Sequence, residues 1–157
     1  MIRPPESFVL EYPPAPPGSS AEHFREALAR STDPSDVAAD LQKGNAPFVV
    51  LDARSPEAWA AAHVPGAVNL PHRRIDAATT ARFSKGVPIV TYCDGTHCNA
   101  STKAAANLAG LGFLVKEMIG GLDGWRRDGF EVEAGPARSE APAEPGEPAD
   151  AKVACGC

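Results

Sequence analysis

Apolar residues along this chain gather in short continuous runs: PFVVLD (47–52), AVNL (67–70), PIVTYC (88–93) and FLVKEM (113–118). Each run is four to six residues long. Such runs fit strands buried on both faces, which show no alternation of apolar and polar positions. Between them the pattern changes to helical spacing with matching start and stop signals. Ser19 and Glu22 form a capping box for AEHFREALAR. Asp33 and Pro34 open PSDVAADLQK, which Gly44 closes, and Ser55 and Pro56 open EAWAAA. Asp76 is placed to cap TTARFSK, and Asn99 or Ser101 to cap an alanine-rich helix that Gly112 ends. Gly120 and Gly121 turn the chain into a last helical piece, LDGWRR. Strand and helix alternating with short connections predict an α/β domain of three layers, a parallel sheet flanked by helices. The crevice of such a sheet lies at the carboxyl ends of its strands.

Composition sets the limits of that domain. Residues 136–150, PARSEAPAEPGEPAD, contain four prolines and no Val, Ile, Leu, Phe, Tyr or Trp, so they are expected to form a disordered linker. Residues 131–150 carry six acids and one arginine, a balance that accounts for the whole chain's net charge of −5. The remainder is near neutral, and neither nucleic acid nor an anionic membrane is expected as a partner. The expected organisation is a proline-rich arm over 1–18, a folded domain over 19–133, and an acidic tail over 134–157. MIRPPESFVLEYPPAPPGSS holds no apolar run long enough for a signal peptide or a membrane span, so a cytoplasmic location is expected. Four cysteines in that setting point to nucleophilic, redox or metal chemistry rather than bridging.

The chemistry concentrates in YCDGTHCNAST, residues 92–102. Cys93 ends a strand, and a short polar loop separates it from a helix start. Loop amides and the positive end of the helix would stabilise a thiolate there, so Cys93 is expected to lose its proton readily and act as a nucleophile. The other reading of the same position is a small buried residue that closes a strand.

Three ordered motifs resemble the rhodanese family: LDARSPEAWAAAHVPGAVNLP, VPIVTYC with its loop, and GFLVKEMIGGLDGW. The resemblance spans about residues 33–130 and implies a rhodanese-like fold with a five-stranded parallel sheet. It further implies sulfur transfer, with Cys93 carrying a persulfide that the loop Asp94, Gly95, Thr96, His97, Cys98 and Asn99 cradles. The partners would be a small-molecule or protein persulfide donor and a thiol or cyanide acceptor, with no metal or other cofactor. The loop departs from the commoner family pattern. It is longer, reads Cys-x4-Cys-Asn, and lacks the arginine that often closes it. A phosphatase or arsenate reductase on a related fold would need a guanidinium to clamp a tetrahedral oxyanion, and no Arg or Lys occurs between Asp94 and Ser101.

The remaining candidates have both chemical and structural readings. Cys98 is either a resolving thiol that bonds Cys93 in a redox or sulfide-sensing switch, or a loop residue turned to the core. His97 is a proton carrier or a solvated loop residue. Arg73 is the preferred anion-binding residue. Asp52 and Arg54 are expected to brace the rim, His63 to belong to a structural turn, and Trp59 and Trp125 to pack. Cys155 and Cys157 form a terminal dithiol. The 19 residues from Pro136 to Ala154 would span about 22–26 Å as a flexible chain, enough to bring a relay thiol back to the loop.

Overall fold

The computed structural model describes residues 7–135. The expected linker over 136–150 and the thiols Cys155 and Cys157 lie outside the described residues. The chain divides into two compact units, one ending at Arg30 and one beginning at Ser31. The first contains helix α1, Pro17–Arg30. Its start corrects the expected capping box. Pro17 occupies the first turn, where its fixed φ suits a helix, and Ser19 already lies inside, with its hydroxyl donating to the Pro16 carbonyl at 3.1 Å.

The second unit runs β1 (Ser31–Thr32), α2 (Pro34–Gln42), β2 (Val49–Asp52), α3 (Pro56–Ala61), β3 (Val68–Asn69), β4 (Ile89–Tyr92), α4 (Ala100–Gly110), β5 (Val115–Met118) and α5 (Gly121–Arg127). The strands form one five-stranded sheet in the order β1-β5-β4-β2-β3, every pair parallel. β1 carries no apolar run and exists through its pairing of Ser31 and Thr32 with Glu117 and Met118 on β5. Asp33 and Ser55 cap α2 and α3 as expected, accepting from the amides of Asp36 and Ala58.

The segment after Asp76 is a correction. Asp76 and Thr79 exchange side-chain and backbone bonds in the manner of a capping box, but only turns follow. Thr79 and Thr80 direct their hydroxyls at the carbonyls of Arg74 and Asp76, a competing arrangement that ends the helix before it starts.

Parallel pairing places successive residues of the central strands on opposite faces. Val50, Val90 and Tyr92 pack with Val37 of α2, Trp59 of α3 and Trp125 of α5. Leu51, Ile89 and Cys93 pack with Ala104 and Leu108 of α4 and with Phe83 and Phe113. The two apolar clusters lie one on each side of the sheet, and the first buries both tryptophans. They leave the carboxyl ends of β2, β4 and β5 together at one rim. Among the described residues no helix is long and apolar enough to cross a membrane.

Candidate active site

Cys93 follows the last residue of β4, and its side chain falls on the α4 face of the sheet, 2% exposed. The backbone there is held from below. The carbonyls of Cys93 and Asp94 accept from the amides of Leu122 and Asp123 at 2.9 and 2.7 Å, at the start of α5. Gly120 and Gly121, at φ +83° and +56°, let that helix begin directly against the loop. Gly95 packs so closely on α5 that a Cβ there would meet Asp123 Oδ2 at 2.6 Å.

A buried ionic cluster fixes the next loop residue on the opposite face. Asp52 is fully buried beside Tyr92, its register partner on β4. The Arg54 guanidinium binds Asp52 through Nε and Nη2, with a shortest contact of 2.6 Å. It also donates to the Ala62 carbonyl at 2.6 Å and to Asp94 Oδ1 at 2.8 Å. One side chain therefore joins the ends of β2, α3 and the Cys93 loop. Burial opposes the Arg54 charge, but its bonds to Asp52 and Asp94 outweigh that and leave it more firmly protonated than an ordinary arginine. Burial, together with the neighbouring Asp52 carboxylate, raises the Tyr92 phenol far above its usual range, so it stays neutral and accepts from the Val64 amide.

The rhodanese-like domain family model matches residues 33–128, the span from the Asp33 cap to the end of α5. The chain belongs to the rhodanese-like domain family. The thiosulfate sulfurtransferase GlpE of Pseudomonas putida is 37% identical over 95 residues, covering 59% of this chain and 82% of that protein. The HTH-type transcriptional regulator Rv0324 of Mycobacterium tuberculosis is 31% identical over 122 residues, and the chain spans 54% of its length. The BH2092 protein from Bacillus halodurans, known from a crystal structure, superposes with a TM-score of 0.74 at 43% identity. That match covers 76% of this chain and 87% of the other.

The rhodanese-like domain opens a cavity of about 880 Å³ at this rim. Residues 93–102 of the loop and α4, with 117–121 from β5 and the α5 start, line it. All six expected loop residues, Asp94 through Asn99, are there; Thr96, His97 and Asn99 are exposed and Cys98 is half-buried. His97 stands 3.9 Å from Asp123, both largely in solvent. Asn99 precedes α4 but makes no capping bond, and Ser101 sits inside the helix with its hydroxyl turned to Cys93.

Arg73 is not brought into the cavity. It is exposed on a 3-10 turn, His72–Arg74, and His72 lines the wall instead. The phase of that turn, set by the Arg74 amide donating to Pro71, decides which neighbour faces inward. His63 lies away from the cavity. It is stacked on Trp59 at 3.5 Å and paired through its backbone with Glu133.

Glu117 and Ser101 are the residues that sequence reasoning missed. Ser101 Oγ stands 3.2 Å from Cys93 Sγ and donates to Glu117 Oε1 at 2.6 Å, while Thr102 donates to the same oxygen at 2.9 Å. A usable signal was present: an acid inside FLVKEM, a run that otherwise reads as a strand of the sheet interior.

The expectation of a readily ionised Cys93 is corrected. Burial pushes its thiol above the ordinary cysteine value, Ser101 pulls it down through hydroxyl and amide, and Cys98 raises it further. Two loop carbonyls stand near the sulfur, Cys98 O at 3.1 Å and Gly95 O at 3.8 Å, while the Ser101 amide and hydroxyl face it from α4. The Cys98 amide is spent on the Gly95 carbonyl at 3.0 Å. Burial and the neighbouring Cys98 thus favour the protonated thiol, against the pull of Ser101. An NMR titration of the Cys93 Cβ resonance is expected to give a midpoint above that of an unfolded cysteine, rising further in Ser101→Ala. The sign follows from linkage. A raised folded-state value makes a contribution to stability that is full below the unfolded value and lost as pH climbs through the folded one. A depressed midpoint would contradict this geometry.

Proposed function

We propose that the protein is a sulfurtransferase in which Cys93 carries the transferred sulfur as a persulfide. Membership of the rhodanese-like family and the placement of Cys93 at the base of the rim cavity support this reading. The Cys93 thiolate attacks the outer sulfur of a donor, the donor's S–S bond breaks, and the donor leaves as a thiol. A second thiol or cyanide then takes the outer sulfur and restores Cys93. Ping-pong kinetics are the signature of such covalent relay.

The donor class follows from the charges around the cavity. Asp94 and Glu117 are acidic, His72 and His97 are its imidazoles, and no lysine or arginine among the described residues lines it. The nearby Arg54 is buried and already committed to Asp52, Asp94 and Ala62. A dianion such as thiosulfate finds no fixed cation here, whereas a persulfide on a small or protein thiol brings less charge and its own binding surface. Although several relatives are named thiosulfate sulfurtransferases, kcat/KM for a low-molecular-weight persulfide is expected to exceed that for thiosulfate. The margin should be at least about tenfold, equivalent to about 1.4 kcal/mol. Steady-state assays with both donors and one thiol acceptor test this; parallel reciprocal plots support the relay, and a preference for thiosulfate refutes the donor assignment.

A second reading is favoured by one observation: Cys98 shares the loop with Cys93, and its carbonyl oxygen lies 3.1 Å from the Cys93 sulfur. Both thiols are reduced and free. A mild oxidant that removes one hydrogen from each would join them as a disulfide. The domain would then act as a redox or sulfide sensor, in keeping with a relative that is a transcriptional regulator. Oxidation by diamide without any sulfur turnover would favour this reading, and Cys98→Ser would abolish the oxidised form.

A further inference from the structure

The contact chain from Cys93 through Ser101 to Glu117 has a direction. A serine hydroxyl holds one proton, and Ser101 gives its proton to Glu117 at 2.6 Å. Its oxygen is then an acceptor for the Cys93 thiol at 3.2 Å. The other oxygens near the sulfur, Cys98 O and Gly95 O, are carbonyls that can accept a hydrogen bond but cannot take the proton away. Ser101 is 3% exposed, and Glu117 is half-buried on the interior strand β5, fixed by a second hydroxyl from Thr102. A thiol that must ionise to act as a nucleophile thus has a built exit for its proton through Ser101.

We propose that Glu117, acting through Ser101, accepts the Cys93 proton when the nucleophile is formed. In one shift the thiol proton moves to Ser101 Oγ and the serine proton moves to Glu117. The result is Cys93–S⁻ facing the serine O–H and amide, beside a protonated Glu117. No electron is gained or lost. When the thiolate takes the outer sulfur of a persulfide donor, the S–S bond breaks and the proton ends on the departing thiolate. Ser101 touches the reacting sulfur; Glu117 is a positioning residue that acts through it. The role of Cys93 as nucleophile rests on the sulfurtransferase reading, but the proton path does not depend on what the nucleophile attacks.

Other titratable groups face the same space. Asp94 is held by Arg54, His97 stands near Asp123, His72 lines the wall, and Cys98 adjoins the sulfur. Lys103 follows Thr102 on α4, and Lys116 precedes Glu117 on β5. The experiment must therefore separate the carboxylate from the imidazoles.

The test is the rate of Cys93 alkylation by iodoacetamide against pH, read by mass at that residue, in the full chain. An internal acceptor makes a thiolate fraction that is independent of pH below the thiol's own titration, so the wild-type profile is expected to flatten on the acid side. Glu117→Gln and Ser101→Ala are expected to lose the flat limb and run about tenfold slower at about pH 5.5, while Ser101→Thr keeps it. A wild-type profile of unit slope throughout overturns the proposal without any variant. So does a flat limb that survives Glu117→Gln and disappears in His72→Asn or His97→Asn. Sulfur loading from a persulfide donor is measured on the same samples. Flattened alkylation without loading would sink sulfur transfer and leave the relay standing, whereas loading with unit slope would do the reverse.

Discussion

Replacing Arg54 with alanine is expected to destabilise the folded unit by about 3–5 kcal/mol, the range for removing one partner of a buried ion pair. The side chain is only 6% exposed and its partner Asp52 is fully buried, so solvent cannot repair the loss. Asp52 would keep its charge in a site shaped for a guanidinium, and Ala62 would lose a donor to its carbonyl. Asp94 would also be released, and with it the start of the Cys93 loop. Urea unfolding of the variant should show the lower midpoint. The double variant Asp52→Asn/Arg54→Ala should recover part of the loss, because it removes the stranded carboxylate. A change below about 1 kcal/mol, the level of an exposed pair, would mean that the cluster is not structural.

The second large effect is expected at Gly121. A Cβ there would collide with the Cys93 carbonyl oxygen and meet the carbonyl carbon of Asp94 at 2.8 Å, and its φ of +56° is unfavourable for a side chain. Neither obstacle is the tip of a flexible side chain; both are the backbone that carries the Cys93 thiol. Gly121→Ala is expected to cost about 2–4 kcal/mol from strain and overpacking together. It should also slow sulfur loading by about a hundredfold, since it displaces Cys93 itself. Gly120→Ala provides the comparison. Its φ is also positive, but the nearest atom is Gly124 Cα at 3.5 Å, an ordinary contact. Strain alone predicts about 1 kcal/mol and near-normal loading. Equal behaviour of the two variants would show that the close approach of α5 to the loop does not matter.

Both predictions rest on features of unequal visibility in the sequence. The sheet interior was legible because β2, β4 and β5 are apolar runs between helices with proper caps, and Asp33-Pro34 and Ser55-Pro56 announce two of those helices unambiguously. The rim was legible as well: Asp52 and Arg54 end one strand and Cys93 another, and parallel pairing brings such ends together. β1 was not legible from its residues, because two polar residues become a strand only when β5 lies beside them. The turn segment after Asp76 misled, since a capping pair starts a helix only if the following hydroxyls do not find nearer carbonyls.

The protonation of Cys93 was misread for a physical reason of the same kind. A strand end, a loop and a helix start together fix where a thiol sits. They do not fix whether the loop turns its amides or its carbonyls inward, and here Cys98 and Gly95 turn carbonyls. Glu117 escaped notice because its link to Cys93 passes through Ser101, which is sixteen residues away in sequence and meets it only across the packing of α4 on β5.

Sulfur transfer through Cys93 is tested most directly by the intact mass of the protein after exposure to a low-molecular-weight persulfide, with Cys93→Ser in parallel. The account predicts a gain of one sulfur atom that is absent from the variant and discharged by a thiol. No gain on any donor, or an equal gain in the variant, would contradict it.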